Sequence, residues 1–395
     1  MTYFSRASRR RGLAVTVFAL AVAAAACSGS NTATSSMQVL PKSRPDANIM
    51  WNFTPVTFGG VGSAGTESLV TGISDGNTTK GQRIVGVSGK PSTGVFNGYT
   101  AWCLSSGSTY GCSDVNERDY PGAKSTYFAG QNQGKYEVGW AIPPTNLGFP
   151  VCNPCGFTRI LNHPDDEGAR RNTGSGSMSC FDPQTDSESS WCMFKEPKQG
   201  TKSCAVTEIL GANSYEALVG YYETGSGSSS ESCSQQAFGM NVINSGSGAY
   251  SYYKFSPPGA TSSIAAGEDD MGAVVGTMTT SSGQIEAWTY VGSGYYPFQC
   301  GGGANETHGL GIVGIKTNLV VGYYVDSKDI THGFYVKNPT TMYPNCETID
   351  YSDNGSGDVT LTAVTSINDK DDISGYFQVK GSPIAGFVGY CKANC

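Results

Sequence analysis

The sequence predicts an all-β fold, a β-propeller of six blades with about four strands each, closed by an N-terminal strand that completes the C-terminal blade. Three observations lead there: glycine-rich turns separate short β-branched and aromatic runs, no stretch beyond the N-terminal segment keeps a 3.6-residue apolar period, and one unit recurs six times. Glycine accounts for 53 of 395 residues, against ~7% in average proteins, and much of it sits in SGSG-type turns.

The first anchor of the unit is a strand with a glycine at Gly86, Gly139, Gly220, Gly276, Gly322 and Gly375, spaced by 53, 81, 54, 46 and 53 residues. The second is an aromatic among small residues. It follows the glycine by twelve positions in the last three copies, at Trp288, Phe334 and Phe387, and by 16, 18 and 18 in the first three, at Trp102, Phe157 and Phe238. A hairpin loop that tolerates insertions accounts for the difference. A third element appears as RDYPGA, FSPPGA and ETIDYSDNG, and a short apolar run such as STYFAG, SSIAAG or LTAVTSI leads into the next copy.

Each unit thus supplies about four strands in ~40–50 residues, the content of a propeller blade. The last copy stops after its third strand at GFVGYCKANC, while FTPVTFGG precedes the first copy and ends in a similar glycine-rich turn. Pairing the two ends would remove the exposed sheet edges, and a monomer is expected. The long gap contains a polar insertion, residues 168–203. An alternative seventh, degenerate blade would lie around SWCMF and CAVTEI.

The first 26 residues carry Arg6, Arg9, Arg10, Arg11 and an apolar run of fifteen, a secretory signal peptide by pattern. AAACSGSNTATSS then resembles the lipobox of bacterial lipoproteins, which implies a lipid on Cys27, a disordered tether over 27–50 and one folded domain over 51–395. Ala24 departs from the leucine usual three before that cysteine, and plain cleavage at an A-x-A site is the alternative. The chain is therefore expected to be exported, as a cell-envelope lipoprotein of the outer membrane or cell surface, or secreted. Without residues 1–26 it has 21 Lys and Arg against 32 Asp and Glu, a charge unsuited to nucleic acid.

Twelve cysteines remain beyond Cys27: Cys103, Cys112, Cys152, Cys155, Cys180, Cys192, Cys204, Cys233, Cys300, Cys346, Cys391 and Cys395. An even number in an oxidising compartment reads as disulfides. Neighbourhood suggests Cys103 with Cys112 across a hairpin, Cys300 with Cys346 between adjacent blades, and Cys391 with Cys395, or either with the N-terminal strand. CNPC has no second C-x-x-C and the histidines His163, His308 and His332 are scattered, so neither a metal nor a cofactor is indicated.

The units resemble the HAF repeats of predicted bacterial extracellular proteins. The resemblance is carried by GYYVDSKDITHGFYV, CETIDYSDNG and TAVTSINDKDDISGYF, more weakly by GANSYEALVGYYE and YKFSPPGATSSIAAGEDDMGAVVG, and best by His332, Gly333, Phe334 and Asn368. It implies a propeller-like exported repeat protein and no particular reaction.

No G-x-S-x-G elbow is present. Carboxylates near the blade junctions, Glu117, Asp119, Glu268, Asp269, Asp270 and Asp350, leave a glycoside hydrolase possible in principle, because such pairs can come from different blades. The cluster Asp369, Asp371, Asp372 fails as an EF-hand loop, with Ser374 at the sixth position and Lys380 at the twelfth. Asp371 aligns with Gly272, Asn318, Glu216, Lys135 and Gln82, a turn position rather than a ligand position; whether the aspartates hold a cation stays open. The expectation is a non-enzymatic binding platform for an extracellular glycan or protein, touching membrane only through its lipid. Tyr252, Tyr253, Tyr295 and Tyr296 are candidates for exposed stacking. The rival is a carbohydrate hydrolase, which would need carboxylates from two blades to converge at the channel.

Overall fold

The computed structural model describes most of residues 50–393, apart from 162–177 and shorter loop stretches. Among the described residues the fold is all-β with no α-helix. The lead strand β1 (Met50–Val56) is followed by a four-stranded antiparallel sheet of β2 (Glu67–Ile73), β3 (Gln82–Lys90), β4 (Val95–Ser106) and β5 (Thr109–Glu117). The next sheet runs β6 (Ser125–Gln131), β7 (Tyr136–Ile142) and β8 (Cys155–Leu161), with β9 (Met178–Phe181) outside β10 (Ser189–Phe194). Then come β11 (Thr207–Ala212), β12 (Leu218–Thr224), β13 (Ser234–Asn244) and β14 (Ala249–Lys254).

The following units are β15 (Ala260–Glu268), β16 (Val274–Thr280), β17 (Ile285–Val291), β18 (Gly294–Phe298), and β19 (Glu306–Val313), β20 (Leu319–Val325), β21 (Thr331–Lys337), β22 (Glu347–Ile349). The last unit has β23 (Val359–Ile367), β24 (Ile373–Val379) and β25 (Ala385–Ala393), and β1 pairs antiparallel with β25. Two single-residue parallel bridges, Ile285 with Glu306 and Thr331 with Leu361, join these last three units along one edge.

The anchor glycines all lie on the second strand of a unit. A Cβ on Gly322 would stand 1.9 Å from the His308 carbonyl oxygen of the first strand, and the other five would meet the matching carbonyl at 1.9–2.1 Å. An aromatic of the third strand lies opposite: Phe157, Phe238, Trp288, Phe334 and Phe387 face Gly139, Gly220, Gly276, Gly322 and Gly375. The first unit corrects the sequence alignment. Tyr99 is opposite Gly86, and Trp102 is opposite Arg83. The wider β3–β4 pairing carries Trp102 past the core to a place over the Arg83 guanidinium.

The stretch read from sequence as an insertion contains β9 and β10, and β10 pairs with β8 as the fourth strand of the second unit. SWCMF therefore belongs to that sheet. Trp191, Cys192, Met193 and Phe194 are all buried, and this short continuous apolar run explains why the segment folds onto β8.

Neighbouring units are joined at the C-terminal ends of their first strands. There an Asx side chain caps the hairpin through its oxygen and reaches across through its nitrogen. Asn132 Nδ2 donates to Asn213 O at 2.8 Å, Asn213 Nδ2 to Asp269 O at 3.2 Å, and Asn368 Nδ2 to Ser74 O at 3.0 Å. Thr71 Oγ1 donates to Phe128 O and, likewise, Thr365 Oγ1 to Val70 O, both at 2.8 Å. The last unit thus bonds to the first as the first does to the second. Behind these ends, Tyr127, Trp140, Tyr323 and Tyr376 from three units fill one buried apolar cluster.

Disulfides link Cys103 to Cys112, Cys204 to Cys233 and Cys300 to Cys346, and Cys155 and Cys192 are also oxidised. The register sets Cys192 opposite Cys180. Cys27, Cys152, Cys395 and His163 lie outside the described residues, as do the side chains of Cys180 and Cys391. Such cross-links fit an exported chain.

Candidate functional site

The ends of the first strands β2, β6, β11, β15, β19 and β23 line one central cavity of about 90 Å³. In five of these six strands the backbone slips by one residue just before a glycine, at Gly72, Gly130, Gly211, Gly267 and Gly311, and in β23 before Ser366. A β-bulge bends a strand and re-aims the next side chains. The tips that follow hold Ser74, Asn132, Asn213, Asp269 and Asn368 at the rim.

Carboxylates from three units converge here: Asp75, then Glu268, Asp269 and Asp270, then Asp369. Asp75 Oδ1 accepts the Asp369 backbone N–H at 2.8 Å. Asp270 accepts from Ser214 through backbone and hydroxyl, tying two tips together. Asp269 Oδ1 accepts the N–H groups of Met271 and Ala273 at 2.9 and 2.8 Å. Asn368 caps its own hairpin in the same way, from Lys370 and Asp372.

Burial pushes the Glu268 carboxyl up to about 8, with Asp269 and Asp270 adding to it. Asp269 and Asp75 are also held above the usual carboxylate range, chiefly by burial and then, for Asp75, by the charge of Asp369. Glu268 is therefore largely protonated at neutral pH.

Of the sequence candidates, Glu268, Asp269, Asp270 and Asp369 come together at the cavity, while the others are employed elsewhere. Glu117 accepts the Tyr99 hydroxyl and Asp119 the Gly98 N–H, on the first unit's outer side. Asp350 pairs with His332 at 2.9 Å, and His332 also approaches Asp326 at 3.7 Å. Asp372 accepts from Gln82, and Asp371 takes the left-handed conformation, φ 62°, as Gly272 does at 78°. The turn reading of Asp371 has this as its physical reason.

The tyrosine candidates pack instead of standing free. Tyr295 lies 4.9 Å from the Tyr290 ring and its hydroxyl accepts the Ser256 N–H, Tyr253 packs on Phe255, Tyr252 on Phe238, and Tyr296 covers Gly294. Two other residues are exposed at the rim: Tyr215 at 75% and Met271 at 70%, on the tips of adjacent units. Sequence reasoning missed both, and Asp75 as well. Aligning the tips S-D, N-S, D-D and N-D would have shown Asp75 beside Asp270 and Asp369 in the repeat.

No family model matches the chain, and no curated protein matches it. Among solved structures, Trypanosoma rangeli sialidase is similar at 8% identity with a TM-score of 0.44, over 82% of this chain and 54% of that one. A triple mutant of AofleA from Arthrobotrys oligospora gives 8% identity and a TM-score of 0.40, over 86% of each chain. A subtype N10 neuraminidase-like protein of A/little yellow-shouldered bat/Guatemala/060/2010 gives 8% identity and a TM-score of 0.35, over 87% of this chain and 98% of that one. The chain spans about half the length of the sialidase chains it matches. None of these likenesses assigns a residue of this chain.

Proposed function

We propose that the protein is an exported six-bladed β-propeller of the HAF-repeat type, lipidated at Cys27, that works as a binding platform for an extracellular glycan or protein. Ring closure is supported by β1 on β25 and by the Asn368 to Ser74 bond, which repeats between the last and first units the bond made between neighbouring units. The observation that carries the binding role is the rim itself. Tyr215 and Met271, the two most exposed large apolar side chains among the described residues, stand on adjacent tips beside an acidic mouth. Exposed aromatic and methionine side chains set among polar neighbours are what interface cores use.

The test is a glycan array and a surface-protein overlay with wild type, the Tyr215→Ala/Met271→Ala double variant and Tyr343→Ala as an exposed control away from the first-strand tips. Binding lost about tenfold or more in the double variant alone supports the rim. Binding unaffected by the double variant removes it.

The hydrolase reading is favoured by one observation: Glu268, protonated near neutral pH, lies among ionisable carboxylates of other units. Against it stands size. The cavity, about 90 Å³, is well below the ~300–1,000 Å³ of pockets that enclose organic ligands. Release of chromophore from aryl glycosides by wild type, abolished in Glu268→Gln, would reverse the order of the two readings.

A further inference from the structure

The central cavity is lined by acidic groups. Among the described residues, five acidic side chains line it and no Lys, Arg or His side chain does; the neighbouring Lys370 ammonium is engaged by the Asp75 carbonyl oxygen at 2.5 Å. Two of the five are incompletely satisfied. Glu268 takes only a long bond from Asn213 on Oε1, Asp269 uses Oδ1 for its turn, and Glu268 Oε2 and Asp269 Oδ2 have no hydrogen-bond partner. These residues are 9% and 4% exposed, and a buried acceptor left unpaired is costly.

The repeat shows that the hairpin does not require these charges. Where one unit has Glu268-Asp269, the equivalent pairs are Gln131-Asn132, Ala212-Asn213 and Ile367-Asn368. Those neutral pairs build the same turn, with Asn213 and Asn368 capping through the same oxygen. The carboxylates of Glu268 and Asp269 are therefore additions to a turn that forms without them.

We propose that the central cavity binds a divalent metal ion, held with part of its water shell by Asp269 and by Glu268, whose proton the ion displaces, and faced by Asp75 and Asp369 from two other units. About 90 Å³ is room for roughly six to nine waters at ~10–15 Å³ each. No three of these carboxylates bring their oxygens within 4.8 Å of one another, so a bare ion is not caged. A partly hydrated ion fills the gap, and both Mg²⁺ and Ca²⁺ accept water among their oxygen ligands. Joining tips of separate units, it would brace the mouth beneath Tyr215 and Met271. The site does not depend on what the rim binds.

The experiment is calorimetric titration and thermal unfolding of the purified, chelator-treated protein with CaCl₂ and with MgCl₂. Wild type, Asp269→Asn, Glu268→Gln and the surface control Asp358→Asn are compared. Both site substitutions install residue types that other units already carry at these places, and unfolding in chelator reports whether each variant is folded. The expected result is saturable binding of one of the two ions with a rise in Tm. Affinity should weaken about tenfold or more in each site variant and stay unchanged in the control, since affinity follows ligand charge count. Absence of saturable binding of either ion to wild type overturns the proposal, as does binding that survives both substitutions. Loss of rim binding in the Tyr215→Ala/Met271→Ala variant with the ion still bound would separate this site from the rim.

Discussion

Gly322 matters for what it lacks. Its Cα lies against the His308 carbonyl, and Phe334 covers the face where a side chain would go, at 2.9 Å from a built Cβ. Gly322→Ala must move a backbone carbonyl or a buried ring, and a loss of about 3 kcal/mol is expected. Gly283, in a hairpin with φ 83° and nothing near its Cβ, should cost only about 1 kcal/mol on the same change, from backbone strain alone. Urea unfolding of the two variants checks the ratio. The anchor glycines were legible because the same clash repeats in every unit; Tyr99 was not, because offset counting cannot tell which residue of YTAWC faces the glycine.

At the scale of elements, closure and cross-links carry the next expectations. β1 puts Phe53 against Phe387 and Tyr351 at 5.3 Å each, so deleting residues 50–56 exposes that ring cluster and an unpaired edge on β25. Lower Tm and self-association in scattering are expected, since an exposed edge templates pairing. The disulfides should rank by the chain they enclose. Removing Cys300–Cys346, separated by 46 residues, should cost about 4 kcal/mol, and Cys103–Cys112, separated by 9, about 2.5 kcal/mol. Equal losses in denaturant titrations would show that strand pairing, and not chain entropy, sets their worth. The sequence left SSWCMF to an insertion or a seventh blade because it sits in a polar, glycine-rich stretch, and only its pairing with β8 assigns it to the second unit.

For the whole molecule, the protons follow burial. Glu208, fully enclosed between units, is pushed by burial from 4.5 up to about 8, with Glu223 adding to it and Tyr221 opposing through a hydrogen bond. Glu268 behaves alike. The folded chain then keeps protons that the unfolded chain releases above about 4.5. That stability is complete below the unfolded pKa and is lost as pH rises to about 8. In chelator, Tm should therefore fall between pH 5 and pH 9, and Glu208→Gln should flatten the slope. A Tm that climbs over this interval would show that Glu208 is ionised in the fold. Metabolic labelling with a radioactive fatty acid, lost in Cys27→Ser, checks the anchor; labelling that persists would leave the acyl chain elsewhere.

What the sequence determined by itself is the unit: strand spacing, the glycine against a carbonyl, the turn residues at Asp371 and Gly272, and the hairpin cysteines. These are local or repeated constraints, and a chain states them once per copy. Only the tertiary structure decided which carboxylates share a cavity. Asp75 and Asp369 lie 294 positions apart in sequence, yet one accepts the other's backbone N–H. INDKDDISGYF is thus both things at once: Asp371 shapes an ordinary turn, while Asp369 reaches the first unit and the acidic mouth. The first and last units meet there, and proximity created by their meeting has no signature in local spacing.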